Sequence, residues 1–290
     1  MRIALSTNWH NYLLLYLSAF VFGTSVNAAD AGHGEYLTNA SGCVACHTAE
    51  EGQPMAGGRP LESPFGTFYT PNITPDNETG IGGWTDDEFV SAFQDGLSPE
   101  GEHYYPAFPY PSYTGMSRSD LLDIKAHLNS LNPVNATNRE HDLVWYASWR
   151  MPLVFWKWLY FDDSRFAIDS SQTDQWNRGA YLVRHLGHCG ECHTPRSWLG
   201  GTESDLELAG APGFGDAKAA PNLTPHEDGL KDWRRADLEL FFEIGMLPNG
   251  DFAGGEMSAV VDENTALLTD EDRAAITEYL RQLKPLPKQY

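Results

Sequence analysis

Basic residues are scarce in this chain of 290: 19 Lys and Arg stand against 40 Asp and Glu, a formal net charge of -21. That balance argues against nucleic acid and anionic membranes as partners, while suiting electrostatic steering towards a basic patch on another protein. Cysteines are rarer still, four in all, at positions 43, 46, 189 and 192. Long apolar runs are missing beyond the first 23 residues and mean hydropathy is -0.41, which excludes a polytopic membrane protein. Alternating apolar and polar positions are almost absent, so strands are not expected and the chain reads as all-α.

What is present begins with an export signal. Arg2 provides a weak positive start, Tyr12 to Gly23 a short apolar run, and Val26-Asn27-Ala28 small residues suited to cleavage near Ala28 or Ala29. The run is too short to span a bilayer comfortably, so residues 1–28 are expected to be a signal peptide and the mature protein to be periplasmic. The remaining length allows two small domains.

In an exported protein four cysteines would ordinarily mean disulfides. Here they form Cys43-Val44-Ala45-Cys46-His47 and Cys189-Gly190-Glu191-Cys192-His193. Cys-x-x-Cys-His is the pattern of covalent c-type haem attachment. Two thiols one helical turn apart can add to two vinyl groups on one porphyrin edge, and the next residue then reaches under the ring to the iron. With 4 Cys and 10 His, roughly 0.002 chance matches are expected, yet two are present and use every cysteine. A zinc site and a thiol redox pair, which needs a βαβ context, are the competing readings. The histidine in both copies, together with export, favours two haem c groups. No cysteine is left for a disulfide or a catalytic thiolate.

The motifs lie in two related halves. Gly34-Glu35-Tyr36-Leu37 precedes the first and Gly179-Ala180-Tyr181-Leu182 the second. Pro71-Asn72-Ile73-Thr74-Pro75 and Pro221-Asn222-Leu223-Thr224-Pro225 follow them, and then helix starts near Trp84 and Trp233. Each half closes on a helix, 117–128 and 269–280, with Leu121, Ile124 and Leu128, or Ala275, Ile276 and Tyr279, on one face. The expected division is signal 1–28, first haem domain 29–133, linker 134–175 and second haem domain 176–290.

A six-coordinate haem needs a distal ligand, and methionine in the loop before the last helix is the usual one. Of six methionines, Met116 has that place in the first half. Met257 is favoured in the second, with Met246 as the fallback. Met55 lies too early, and His103 and His226 are weaker candidates.

Together these segments resemble the dihaem class I cytochromes c that serve as electron-transfer subunits of periplasmic alcohol, gluconate and aldehyde dehydrogenases. The resemblance also rests on Gly57-Gly58-Arg59-Pro60, Tyr105-Pro106-Ala107-Phe108-Pro109-Tyr110, Trp176-Asn177-Arg178 and Gly187-His188-Cys189 through Pro195-Arg196. It covers nearly the whole mature chain and implies two tandem class I cytochrome c domains. Some relatives read Pro-Ala-Met-Pro-Tyr, with the methionine on iron; Phe108 stands there here, which passes the role to Met116. The resemblance further implies haem propionates near Arg59, Asn72 and Asn222, although the Asn-x-Thr-Pro turns also read as loop chemistry.

Residues 143–161 between the halves are dense in tryptophan but too short and too polar to span a bilayer. They read either as a helix packed against both domains or as a docking surface for a protein or membrane. The favoured function is an electron carrier without substrate chemistry, with a dehydrogenase as donor and a cytochrome, quinone or oxidase as acceptor. The alternative is a dihaem enzyme, of peroxidase or thiosulfate-oxidising type, with one open iron.

Overall fold

The computed structural model describes residues 28–213 and 218–289. The signal-peptide expectation falls on residues 1–27, outside that range.

The chain is mostly helical. In the first half, Asp30 caps α1 (Ala31–Ala40) by accepting the Gly32 and His33 amides. Left-handed Gly42 then turns the chain into α2 (Cys43–His47). Strands β1 (Pro60–Ser63) and β2 (Gly66–Tyr69) form a hairpin. A Thr85/Glu88 capping box starts α3 (Asp86–Asp95), and α4 (Tyr110–Tyr113) is a single turn. Ser117 caps α5 (Arg118–Ser130).

After β3 (Asp142–Leu143) and α6 (Pro152–Tyr160), the second half repeats the plan. Helix α7 (Asp174–Tyr181) runs through a wide turn, 182–186, towards α8 (Gly190–His193). Then come α9 (Arg235–Ile244), α10 (Glu256–Glu263) and α11 (Asp270–Arg281), the last capped by Thr269.

The small antiparallel sheet, ordered β1-β2-β3, departs from the all-helical expectation. Its strands are too short for alternation to show in the sequence. Gly66 makes it fit: at φ 114 it lies so close to β3 that a Cβ would sit 2.3 Å from the Asp142 carbonyl oxygen. Residues 134–143, assigned above to the linker, lie against the first half. The Asn72 amide donates to Asn138 Oδ1 at 2.7 Å, the Ala136 amide to Thr79 Oγ1 at 3.1 Å, and β3 completes the sheet.

Helix α1 packs on α5, and α7 on α11. A glycine allows each crossing: a Cβ on Gly34 would lie 1.8 Å from the Asp123 carbonyl oxygen, and one on Gly179 2.0 Å from that of Ala275. Two residues beyond each glycine a tyrosine crosses to the other half. Tyr36 donates to Asp272 at 2.6 Å and accepts the Thr269 amide at the start of α11. Tyr181 donates to Asp120 at 2.5 Å and accepts the Ser117 amide at the start of α5. Each half's leading helix thus caps the other half's closing helix. A single hydrophobic core, including Leu37, Met116, Leu121, Leu182 and Tyr279, runs through both halves.

Helix α6 is held by both halves. Lys157 Nζ donates to the carbonyls of Asp95 and Gly96, while Trp156 Nε1 donates to that of Leu199 at 3.0 Å. Its outer face stays bare: Trp158 is 82% exposed and Phe155 64%, beside Trp145 at 85%. No helix among the described residues is long and apolar enough to cross a membrane.

Candidate functional site

The site is built from the two Cys-x-x-Cys-His turns. His47 Nδ1 donates to the Pro71 carbonyl at 2.8 Å, and His193 Nδ1 to the Pro221 carbonyl at 2.7 Å. Spending the ring proton on a carbonyl leaves Nε2 with a free lone pair and fixes the plane of the ring, as a metal-ligating imidazole requires. Burial pushes both imidazoles towards the neutral form, with the carbonyl bond opposing.

Those carbonyls are themselves anchored by the residue that follows. Asn72 Oδ1 accepts from the Thr74 amide and hydroxyl, and Asn72 Nδ2 donates to Thr79 Oγ1 and to the Val134 carbonyl. Asn222 repeats this with Thr224 and the Leu286 carbonyl. Both asparagines are therefore committed to the loops that steady Pro71 and Pro221. The closing partners, Pro133-Val134 and Pro285-Leu286, are themselves a repeat in the sequence that the motif reading passed over. Arg59 sits at the first turn, its guanidinium on the Ala45 carbonyl between the two cysteines.

Burial pushes the Cys43 and Cys189 thiols up to about 12, so neither is an activated thiolate. Cys46 and Cys192 are open to solvent. Among the described residues, ligand atoms of three Cys, His, Asp or Glu side chains converge within 4.8 Å only at His33, Asp120 and Asp123. Neither turn closes on one ion in the way zinc demands.

The candidate distal residues differ. Met116 is fully buried, whereas Met257, in the first turn of α10, and Met246, in the loop after α9, are half-buried. Met55 is buried with φ 61, and its carbonyl accepts the Ile73 amide; Leu208, with φ 62, accepts the Leu223 amide in the same way. Met55 and Leu208 therefore hold the same backbone position in the two halves. His103 is half-buried, and the His226 ring accepts the Asp228 amide at 3.2 Å.

The two turns also touch each other. His188 Nε2 lies 3.2 Å from the Ser41 carbonyl oxygen, which also accepts from Tyr113 at 3.3 Å, and Ser112 donates to Glu191 at 2.8 Å.

No family model matches the chain. Among curated proteins, a dihaem c-type cytochrome of Cereibacter sphaeroides is 41% identical over 259 residues, covering 88% of this chain and 86% of its own. The chain belongs to the dihaem c-type cytochromes. This cytochrome is also 40% identical to the gluconate 2-dehydrogenase cytochrome c subunit of Pantoea cypripedii and 35% identical to the fructose dehydrogenase cytochrome subunit of Gluconobacter japonicus. It spans only 60% and 54% of those two proteins, respectively.

The donor set of the cytochrome fits a c-type haem at each turn. Each turn offers two protonated thiols and an imidazole with a carbonyl-bound Nδ1 and a free Nε2, and these ligand atoms do not converge on one point. That division matches a ring held by its edge and ligated at its centre. The sequence singled out Cys43, Cys46, His47, Cys189, Cys192 and His193 as candidates, while the contact between the turns, and His188 within it, carried no recognisable spacing signal.

Proposed function

We propose that this cytochrome is a periplasmic electron carrier built from two tandem class I domains, 29–133 and 176–290. It takes electrons from a dehydrogenase partner and passes them to a cytochrome, quinone or oxidase. The observation that carries this reading is the paired geometry of His47 on the Pro71 carbonyl and His193 on the Pro221 carbonyl. When bound, each haem c supplies one-electron ferric–ferrous chemistry.

The chain's own residues do the rest. Cys43 with Cys46, and Cys189 with Cys192, would tether the two haem groups, and His47 and His193 would hold their irons through Nε2. Met116 and Met257 would supply the further ligands. Met257 is preferred to Met246 because it lies nearer the closing helix α11. Arg59 supplies positive charge beside the first haem's carboxylates, and Asn72 and Asn222 act by fixing the proline carbonyls. The bare aromatic face of 143–161 receives the dehydrogenase. Two features support this: the relatives that are dehydrogenase subunits, and the acidity of the chain, which disfavours anionic lipid.

The test is a haem count and an optical spectrum of the exported protein, with and without carbon monoxide. Two low-spin haems per chain that ignore carbon monoxide, and are reduced by a substrate-fed dehydrogenase, support the carrier. Trp145→Ser with Trp158→Ser should slow that reduction and leave the spectrum unchanged. A carbon monoxide shift at one haem would move the reading to a dihaem enzyme with an open iron.

A further inference from the structure

The residue before each attachment cysteine takes a left-handed backbone. In the first half it is Gly42, at φ 66, where glycine is free to sit. In the second it is His188, at φ 39, one of three non-glycine residues with positive φ among those described. The other two, Met55 and Leu208, are repeat counterparts of one another; His188 has only Gly42. A side chain is thus kept at a position where its mere presence strains the backbone.

The imidazole has one evident use. It reaches across the boundary between the halves to the Ser41 carbonyl, 3.2 Å from Nε2, and Ser41 lies two residues before Cys43. Its ring meets Tyr113 edge-on, with centroids 5.4 Å apart, and the Tyr113 hydroxyl donates to the same carbonyl. Ser112 of α4 and Glu191 of the second turn add another bond between the halves, and Arg196 braces Glu191 from its own half.

We propose that His188 is a positioning residue that holds the two haem-attachment turns edge to edge and so sets the coupling between the two haem sites. The inference rests on the electron-carrier reading above. The transfer it serves moves one electron: one iron passes from ferrous to ferric, the other from ferric to ferrous, and no bond or proton changes.

The decisive variant is His188→Gly, which copies the first half at this position, relieves the strained backbone and should fold. Circular dichroism in the Soret band reports coupling between neighbouring haems, and pulse reduction reports how fast an electron equilibrates between them. In His188→Gly we expect two haems, an unchanged low-spin absorption spectrum and no loss of thermal stability. The Soret couplet should nevertheless collapse and equilibration should slow several-fold. His188→Asn, which tolerates the left-handed backbone and keeps a donor, should restore part of both, and Tyr113→Phe should weaken both mildly. A His188→Gly protein with two haems and an undiminished couplet and rate would overturn the proposal. A wild-type chain with fewer than two haems would instead overturn the carrier reading beneath it.

Discussion

Met116 and Met257 are offered for the same task by two halves of one repeat, yet they come from different points of the loop. Phe108 lies five residues after His103, and Met257 five residues after Phe252, the two bridge residues that correspond in the halves. By that count the partner of Met257 is Phe108, which packs edge-on to Phe93 at 5.1 Å and cannot bind iron. Met116 comes eight residues later, after α4, and is held at several points. Gln94 donates to its carbonyl at 2.8 Å, Gly115 before it lies under the His185 ring, and the Ser117 amide after it donates to Tyr181. Most of these clamps belong to the second half. Met257 instead follows Gly254 and Gly255, around which nothing packs within 4 Å. The candidate in one half is therefore held by the interface between the halves, and the candidate in the other lies on a short helix with a loose start.

The largest effects should come from the attachment cysteines. Cys43→Ser with Cys46→Ser, or Cys189→Ser with Cys192→Ser, should each remove one haem of two, read by pyridine haemochrome and mass. If either pair left the haem count intact, the assignment of the turns would be wrong.

The methionines test the contrast directly. Met116→Ala should open the first haem to carbon monoxide and, because the side chain is fully buried, cost about 2–5 kcal/mol in denaturant unfolding. Met257→Ala should open the second haem at a cost below about 1.5 kcal/mol, since less packing is lost. If Met246→Ala, and not Met257→Ala, produced the carbon monoxide shift, Met246 would take the role.

Gly115→Ala should reproduce part of the Met116 phenotype without touching a ligand. A Cβ there would lie 2.1 Å from the His185 ring, which Ser112 holds through its carbonyl. Overpacking of this kind costs about 1–3 kcal/mol and should loosen the first haem site alone. Equal carbon monoxide binding at both haems would refute the idea that the interface secures only one of them.

The smallest effects concern the crossed tyrosines. Tyr36→Phe and Tyr181→Phe should each cost about 1 kcal/mol. The pairs differ in that Arg178 forks onto Asp272, and Asp120 has no such partner among the described hydrogen bonds. Burial pushes the Asp272 carboxyl up, but the bonds from Arg178 and Tyr36 outweigh it and leave it below the ordinary carboxylate range. A depressed folded-state value stabilises the fold above the unfolded value, about pH 4, and the gain is lost as pH falls through the folded one. Asp272→Asn should flatten the loss of stability below about pH 4; an unaltered acid limb would discount the pair.

Covalent attachment was legible because it is local. Two thiols and an imidazole within five residues must share one turn, so Cys43 to His47 and Cys189 to His193 declare themselves by spacing. Gly34 and Gly179, Pro71 and Pro221, and the helix caps at Ser117 and Thr269 could be read as repeats for the same reason. The β-hairpin escaped because strands of four residues carry too little alternation to be told from loop. Asn72 and Asn222 were ambiguous between haem carboxylate and loop; in the tertiary structure both bond to the loops that close through Val134 and Leu286.

The sequence by itself determined two Cys-x-x-Cys-His turns, the helical repeat around them and the acidity of the chain, because each depends on residues near one another along the chain or on bulk composition. Only the tertiary structure decided that Tyr36 caps the far half, that Tyr181 returns the favour, that Met116 is secured from across the interface and that His188 meets Ser41. Those contacts join residues tens to hundreds of positions apart, and nothing in local spacing encodes which surface of one half will meet the other.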